Sequence, residues 1–537
     1  MRLRWPGFAS LGRAALAAAL VQSLAPLAVA QAAAEPARPP AAPAFELEAD
    51  VTRVMRLFEI PGVAVAIVKD GRVVTARGFG VRTLGSPEPV DGQTLFEMAS
   101  NSKAFTTVLL AMLVDEGKLA WDDPVIKHLP DFQMFDPYVT REMTVRDLLV
   151  HRSGLGLGAG DLLWWPTTSF SADEIIERLR HVRPASGFRS GYAYDNVLYI
   201  VAAKIVAAKL GRPWGQAVHE RILGPLGMTA TTTRLAENTN NTNKAAAHSR
   251  IGERPAVVKQ IPVANAAGAV GINSNAVDMA KWLTSLLEGG RIPGSAKELY
   301  SARQAREMWS AQTPIRISEP KPALAGLKAN FSAYGLGFAL RDYKGRLIVQ
   351  HTGTLQGFHS RVVLVPQEKL GFAILTNGEE SSAVAALQFR LLDHYLQAAP
   401  TDWIARFHDL DVAAHTADAA AQKQASATRA ASGPSLPLAS YDGDFVDPWY
   451  GVVTIRAVDG QHVMAFSRTA DLVGMLEHYQ YDTFIVRWNQ RNLRADAYVT
   501  FALLPDGSIE RMKMRPISSE TDFSYDFADL DFVPVKK

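Results

Sequence analysis

Three short segments of this chain carry residues that could act together on a carbonyl carbon. The first, Ser100-Asn101-Ser102-Lys103, opens an apolar series, Phe105, Val108, Leu109, Met112 and Leu113, spaced i, i+3, i+4, i+7, i+8. That spacing predicts an amphipathic helix closing at Glu116-Gly117. Ser100 then falls in the first turn, with Lys103 on the same face. A serine hydroxyl is a weak nucleophile until a base takes its proton, and a lysine whose charge is disfavoured by burial can be that base. The helix N-terminus adds N–H donors and a positive dipole end that favour a developing oxyanion. The pattern alone is weak, since Ser318-Glu319-Pro320-Lys321 repeats it without a helix and serine is a favoured helix cap.

Tyr194-Asp195-Asn196 follows the turn-like Phe188-Arg189-Ser190-Gly191-Tyr192 and precedes a helical pattern through Ile200, Val201, Ile205 and Val206. A phenol near a lysine can ionise or pass a proton to a leaving group. The Asn196 amide can serve a substrate carbonyl or Lys103. The third segment, His351-Thr352-Gly353-Thr354, lies between strand-like runs. Its glycine permits close approach of a ligand, and an edge strand can pair with a peptide. Each segment alone has a plainer reading, as cap, core aromatic or structural histidine.

The elements that must position these residues are legible at both ends of the segment set. A helix is expected from Phe45 to Phe58, then two apolar runs, Val63–Val68 and Val73-Val74, around Asp70-Gly71, a hairpin signal. Late in the chain, Leu347–Val349, Ser360–Val365 and Phe372–Leu375 read as strands. Strands from both ends can join one antiparallel sheet covered by helices, with the mostly helical middle as a second lobe and the site between them. An Ala-rich helical stretch runs from Trp403 to Ala431. Beyond Tyr441 come short strands with Asp459-Gly460 and Asp506-Gly507 at hairpin positions, which suggests a small all-β barrel. The fold class is therefore α/β (α+β) followed by a barrel. Expected divisions are a signal peptide at 1–30, an Ala/Pro-rich linker at 31–44, a hydrolase domain at 45–398, a helical linker at 399–437 and the barrel at 438–537.

Composition removes other classes. The 537 residues carry 56 Lys+Arg against 54 Asp+Glu, a net charge of +2, so no basic footprint for nucleic acid is present. Cysteine is absent, which excludes disulfides, thiolate nucleophiles and Cys-held metal. His219-Glu220 lacks the second histidine of a zinc-protease helix, and the glycines from Gly154 to Gly158 lack the Lys-Ser or Lys-Thr of a phosphate loop. No metal and no cofactor are expected. Arg2, Arg4 and Arg13 precede an apolar run from Ala14 to Ala30 that ends in Ala28-Val29-Ala30. That is the form of a secretory leader cleaved near Ala30, and implies a periplasmic or secreted protein without an integral membrane segment.

Taken in order, Ser-x-x-Lys, Tyr-x-Asn and His-Thr-Gly resemble the serine β-lactamase and penicillin-binding-protein superfamily. The nearest branch holds class C β-lactamases and D-Ala-D-Ala carboxypeptidase B. Leu95–Ala99, Leu148–Leu155 and Ala267–Gly271 resemble that branch too, over roughly Phe45 to Leu396. The resemblance implies Ser100 as acylated nucleophile, Lys103 as base and Tyr194 in proton transfer. It further implies Asn196 as a ligand of the acyl side chain, and the N–H groups of Ser100 and Thr354 as oxyanion hole. Class C enzymes usually carry lysine where this chain has His351. The His-Thr-Gly form looks closer to carboxypeptidases, in which Thr352 and Thr354 would help bind a carboxylate. The C-terminal module resembles lipocalin-like barrels that assemble oligomers or wall the cleft, and Trp449 or Tyr450 would face substrate or fill the barrel. The implied function is an exported serine peptidase on small or linear peptides, of the D-aminopeptidase, carboxypeptidase or linearised-microcystin-peptidase kind. A carboxylesterase and then a β-lactamase are the alternatives. A non-catalytic penicillin sensor, which needs a membrane-spanning segment, is disfavoured.

Overall fold

The computed structural model describes residues 45–252, 254–427 and 430–535. The leader and linker read at 1–44 lie outside the described residues. Helix α1 (Leu47–Phe58) leads into strands β1 (Gly62–Lys69) and β2 (Arg72–Gly80). Asp70 and Gly71, at φ 51° and 73°, form the turn between them, the left-handed pair that a two-residue hairpin requires. The middle of the chain supplies helices α2 (Ser102–Asp115), α3 (Val197–Leu210), the single turn α4 (Ala267–Val270) and α5 (Ala276–Leu287). Strands β3 (Thr313–Pro314), β4 (Ser332–Tyr334), β5 (Ala339–Tyr343), β6 (Arg346–Leu355), β7 (Phe358–Val365) and β8 (Leu370–Thr376) follow. They complete one antiparallel sheet in the order β2-β1-β8-β7-β6-β5-β4-β3. The expected meeting of strands from both ends is thus the β1–β8 pair, with Val65 opposite Ile374.

The unbroken apolar text of β1 has a reason. Val63, Val65 and Ile67 point into a core under α1, α6 (Ser381–Tyr395) and α7 (Trp403–Ala427), with Val54, Leu387 and Trp403. Ala64, Ala66 and Val68 point into the opposite core with Phe105, Leu283 and Leu286. A strand buried on both faces must be apolar at every position.

Helix α2 departs from expectation. Every residue from Ser102 to Leu113 is buried, so no solvated face exists. The i, i+3, i+4 spacing is real, but Ala104, Thr106, Thr107 and Ala111 on the other faces are packed as well, and a helix inside a core has no wet side.

The C-terminal strands β9 (Gly443–Asp447), β10 (Gly451–Val458), β11 (Gln461–Phe466), β12 (Val473–Gln480), β13 (Thr483–Trp488), β14 (Ala497–Leu503), β15 (Ile509–Pro516) and β16 (Val533–Pro534) form a second sheet. Its order is β15-β14-β13-β12-β11-β10-β9-β16, and the Met512–Phe532 bridge brings its ends together as a nearly closed barrel. Trp449 and Tyr450 are both buried, Tyr450 against Phe466 and Phe170, so of their two expected roles they take the packing one. The barrel and the hydrolase part belong to one compact unit. Arg468 Nη2 donates to Glu174 Oε1 at 2.8 Å, and Arg494 Nη2 to Glu379 Oε2 at 2.9 Å. Among the described residues no helix is long and apolar enough to cross a membrane.

Candidate active site

Ser100 lies in a tight 3-10 turn, Ala99–Asn101, that runs straight into α2. The turn is bolted from three sides. Ser102 Oγ donates to Ala99 O at 2.6 Å, Ser360 Oγ to Met98 O at 2.7 Å, and Asn101 Nδ2 to Ser360 Oγ at 2.8 Å. Ala99 adopts φ 47°, a left-handed value costly for a residue with a Cβ. Ser100 itself is part-exposed and its hydroxyl accepts from Lys103 Nζ at 3.1 Å.

Lys103 is fully buried. Its Nζ also donates to Asn196 Oδ1 at 2.7 Å and approaches Ala269 O at 3.4 Å. Burial lowers its pKa to about 7, against the opposing pull of the Asp161 and Asp195 carboxylates. An amine that loses its charge near neutrality, one hydrogen bond from a serine hydroxyl, can accept that hydroxyl's proton.

Tyr194 places its ring 4.9 Å from Lys103 Nζ and interacts with Ser100. Burial pushes the phenol well above its ordinary range, an effect the Ser100 interaction only reduces. The group is protonated at neutral pH, which leaves proton donation, not ionisation, as its available chemistry. Asn196 stands just before α3 without capping it. Its side chain reaches inward instead, to Lys103 and, through Nδ2, to Asp161 Oδ2 at 2.8 Å.

The third segment lies on β6. His351 is buried, with Nδ1 2.6 Å from Thr352 O and Nε2 2.8 Å from the Tyr334 hydroxyl. The carbonyl makes Nδ1 the protonated nitrogen, so Nε2 accepts from Tyr334. Burial, with Lys103 adding to it, lowers the imidazole pKa to about 3. Thr352 and Thr354 are exposed at the cleft, and Thr354 Oγ1 is 2.9 Å from His359 Nδ1. At Gly353 the protein itself comes close. A Cβ there would lie 2.2 Å from Met98 O and 2.6 Å from Ser360 Oγ.

All eight residues singled out in the sequence, Ser100, Lys103, Tyr194, Asn196, His351, Thr352, Gly353 and Thr354, therefore converge on one place. Around them is a cleft of about 320 Å³ lined by the aromatic rings of Trp164, Tyr192, Tyr194, Tyr334 and Phe523 together with polar side chains such as Gln350 and Asp522. A larger cavity of about 750 Å³ lies near Trp214 and His219.

Residues 48–397 match the β-lactamase family. A curated relative, the unguisins hydrolase ungD' of Aspergillus campestris (strain IBT 28561), is 30% identical over 485 residues, 85% of this chain and 86% of that protein. The chain belongs to the β-lactamase family of serine hydrolases. Residues 427–534 match a domain of unknown function (DUF3471). The octameric penicillin-binding protein homologue of Pyrococcus abyssi shares the fold over 90% of this chain and 98% of its own, at TM-score 0.55 and 19% identity. The D-amino acid amidase of Ochrobactrum anthropi SV3 does so over 65% and 98%, at TM-score 0.54 and 24% identity.

Sequence reasoning missed part of this family member's cleft. Asp522, Phe523 and Ser524, which follow the last long barrel strand, line the same cleft as Ser100. Phe523 stands edge-on to Tyr194 with ring centroids 6.0 Å apart. Gly158 makes room for it, since a Cβ there would meet Phe523 O at 2.7 Å. Asp161, Trp164 and Tyr334 were also missed. The glycines around Asp161 mark a loop, but nothing local says what it touches.

Proposed function

We propose that this protein is an exported serine peptidase or amidase that works through an acyl-enzyme on Ser100. The observation that carries the reading is the buried Lys103 amine 3.1 Å from Ser100 Oγ, with a pKa brought down to about 7. In acylation the Ser100 oxygen attacks the substrate carbonyl carbon while its proton passes to Lys103. The N–H groups of Ser100 and Thr354 receive the oxyanion. Tyr194 relays the proton to the leaving nitrogen as the C–N bond breaks, and water then releases the acyl group by the reverse path.

Substrate choice follows from the lining. Among the described residues that line the cleft there is one carboxylate, Asp522, and neither lysine nor arginine. Such a cleft disfavours a carboxylate at the scissile bond and accepts neutral or ammonium-bearing acyl groups. Cleavage from the amino end, or within a small linear peptide, is therefore favoured over carboxypeptidase action. The aromatic walls suit an apolar side chain. The name of a similar solved structure, a D-amino acid amidase, accords with amide chemistry, and that of a curated relative, an unguisins hydrolase, with hydrolysis. The leader read in the sequence supports a reaction in a periplasm or outside the cell, and assembly of copies through the barrel accords with an octameric structural neighbour.

The test is product analysis of the full chain beside Ser100→Ala. Both receive linear peptides of L- and D-residues, free or blocked at either end, and separately a p-nitrophenyl ester. Peptide cleavage lost in the variant, and weakest for a free carboxylate beside the scissile bond, supports the reading. Ester turnover without peptide cleavage makes the protein a carboxylesterase. Cleavage that persists in Ser100→Ala removes Ser100 from its role.

A further inference from the structure

A lysine that takes a proton from serine must be neutral, with its lone pair aimed at the serine oxygen. A neutral amine has two N–H groups, and both need acceptors elsewhere. Lys103 has two besides Ser100, Asn196 Oδ1 at 2.7 Å and Ala269 O at 3.4 Å. With these filled, the lone pair falls toward Ser100 Oγ at 3.1 Å. The arrangement depends on which way the Asn196 amide faces. Turned over, it would offer Lys103 an NH₂ group, and the lone pair would be drawn to that donor and away from the serine.

What fixes the amide is Asp161. It is fully buried and its carboxylate collects three donors: Asn196 Nδ2 at 2.8 Å, Trp164 Nε1 at 2.8 Å and Ser524 Oγ at 2.9 Å. Burial raises the Asp161 carboxyl pKa to about 7, and above that it is a carboxylate to which only the NH₂ end of Asn196 can bond, so the oxygen end must face Lys103. The loop carrying Asp161 is held in turn by the barrel. Asp526 accepts from the N–H of Gly160 at 2.6 Å and of Leu162 at 3.1 Å, the two residues flanking Asp161. Ser524 and Asp526 lie more than 360 positions away in sequence.

We propose that Asp161 is a positioning residue that orients Asn196 toward Lys103, and that the barrel segment Ser524–Asp526 holds Asp161 in place, so the docked C-terminal domain completes the proton-accepting pair. This rests on the reading of Lys103 as base toward Ser100. Asp161 does not itself line the cleft or bond to Ser100; it acts through Asn196, Trp164 and Ser524, which do line it. Its charged or titratable neighbours are Lys103 on α2, Tyr194 and Asp195 ahead of α3, and Asp526 from the barrel.

The test uses the full-length protein and a fluorophosphonate probe, which reports Ser100 reactivity without any assumption about substrate. Labelling rates are measured against pH for the native chain, Asp161→Asn and Ser524→Ala, with peptide mapping of the labelled serine and a thermal melt of each variant. Asp161→Asn keeps the volume and removes the charge. Its labelling is expected to fall at least about tenfold above pH 8. Its acid limb should move about one unit lower, because a lost negative neighbour lowers the lysine pKa. Ser524→Ala, which removes a neutral donor, should slow labelling about threefold or more. Native-like rates and an unmoved limb in Asp161→Asn overturn the proposal. A slower rate with an unmoved limb and a matching loss of melting temperature also overturns it, since a merely structural residue would give that. A native chain not labelled at Ser100 shows that the nucleophile reading has failed, and this inference falls with it.

Discussion

His351 lines the cleft and Lys103 sits behind Ser100, both buried, both able to carry a positive charge, and they end in opposite states. Desolvation disfavours the charge on each. The difference lies in the neighbours. Lys103 has the carboxylates of Asp161 and Asp195 near it, which return part of what burial takes, and it titrates near 7. His351 has Lys103 and Arg361, two cations, which add to the effect of burial and leave it at about 3. Its ring is then fully occupied as a neutral link between the Thr352 carbonyl and the Tyr334 hydroxyl. The comparison teaches that burial alone does not make a base. The charges placed around the group decide whether it titrates where an enzyme can use it.

The largest effect should come from breaking the lysine side. Lys103→Met is expected to lower the rate of Ser100 acylation by about 10²–10⁴-fold, read by probe labelling and by peptide turnover. His351→Gln, at the other member of the pair, should cost about tenfold or less, because a neutral amide can still bridge a carbonyl and a hydroxyl. A reversal of that order would show that the histidine is the base. The native pH profile sharpens the same point. Lys103 acts as its neutral form, so kcat/KM should rise with pH through an apparent pKa of about 7.

A second way to disturb the pair is through the strand that carries His351. Gly353→Ala would set a Cβ 2.2 Å from Met98 O, two residues from Ser100. Backbone cannot yield as a side chain can, so a loss of about 2–3 kcal/mol in stability is expected. Melting and Ser100 labelling should fall together. Labelling that survives with native melting would mean the strand moves away freely and does not brace the nucleophile turn.

The histidine's own state predicts a pH-dependent stability. In the unfolded chain His351 takes a proton below about pH 6.5, whereas in the folded protein it does so only near 3. Between those values the unfolded state binds more protons, so this group's contribution is present above pH 6.5 and is lost as pH falls toward 3. Replacing it with glutamine removes that loss. The stability of native protein minus His351→Gln should therefore shrink by about 1.4 kcal/mol per pH unit between pH 6 and pH 4. Denaturant melts of both proteins across that range measure the slope, and a flat difference would mean the folded imidazole protonates as freely as the unfolded one.

Much of this was legible in the sequence because the signals were local. Asp70-Gly71 declared its hairpin, the apolar runs of β1, β7 and β8 declared buried strands, and Ser100 with Lys103 lay within one helical turn. Short elements with mixed polarity, such as β12 with Glu477, His478 and Gln480, carry no such mark, since their half-wet face dilutes the pattern. The helix after Ser100 has amphipathic spacing yet is buried all round, because spacing reports which residues are apolar, not whether the small ones between them are also packed. The cleft's barrel side was illegible for a different reason. Asp161 meets Ser524 across 363 positions, and neither residue type nor spacing encodes a contact between two loops.

The finest of these effects concerns the hydroxyl that meets the histidine. Tyr334 is buried, and its OH is the hydrogen-bonding partner of His351 Nε2 at 2.8 Å. Tyr334→Phe keeps the ring, its edge-on contact with His351 and its place beside His151. What it removes is the donor, which leaves a buried acceptor without one at a cost of about 1–3 kcal/mol. If His351 serves only as a neutral brace, the variant should lose that stability and keep its acylation rate within a few-fold of native, with the limb near pH 7 unmoved. If instead the Tyr334–His351 pair passes protons during turnover, the rate should fall far more than the melting temperature, and a solvent isotope effect on labelling should change with it. Paired melts and labelling rates on one preparation separate the two, and the second result would erase the contrast between a titrating lysine and an inert histidine.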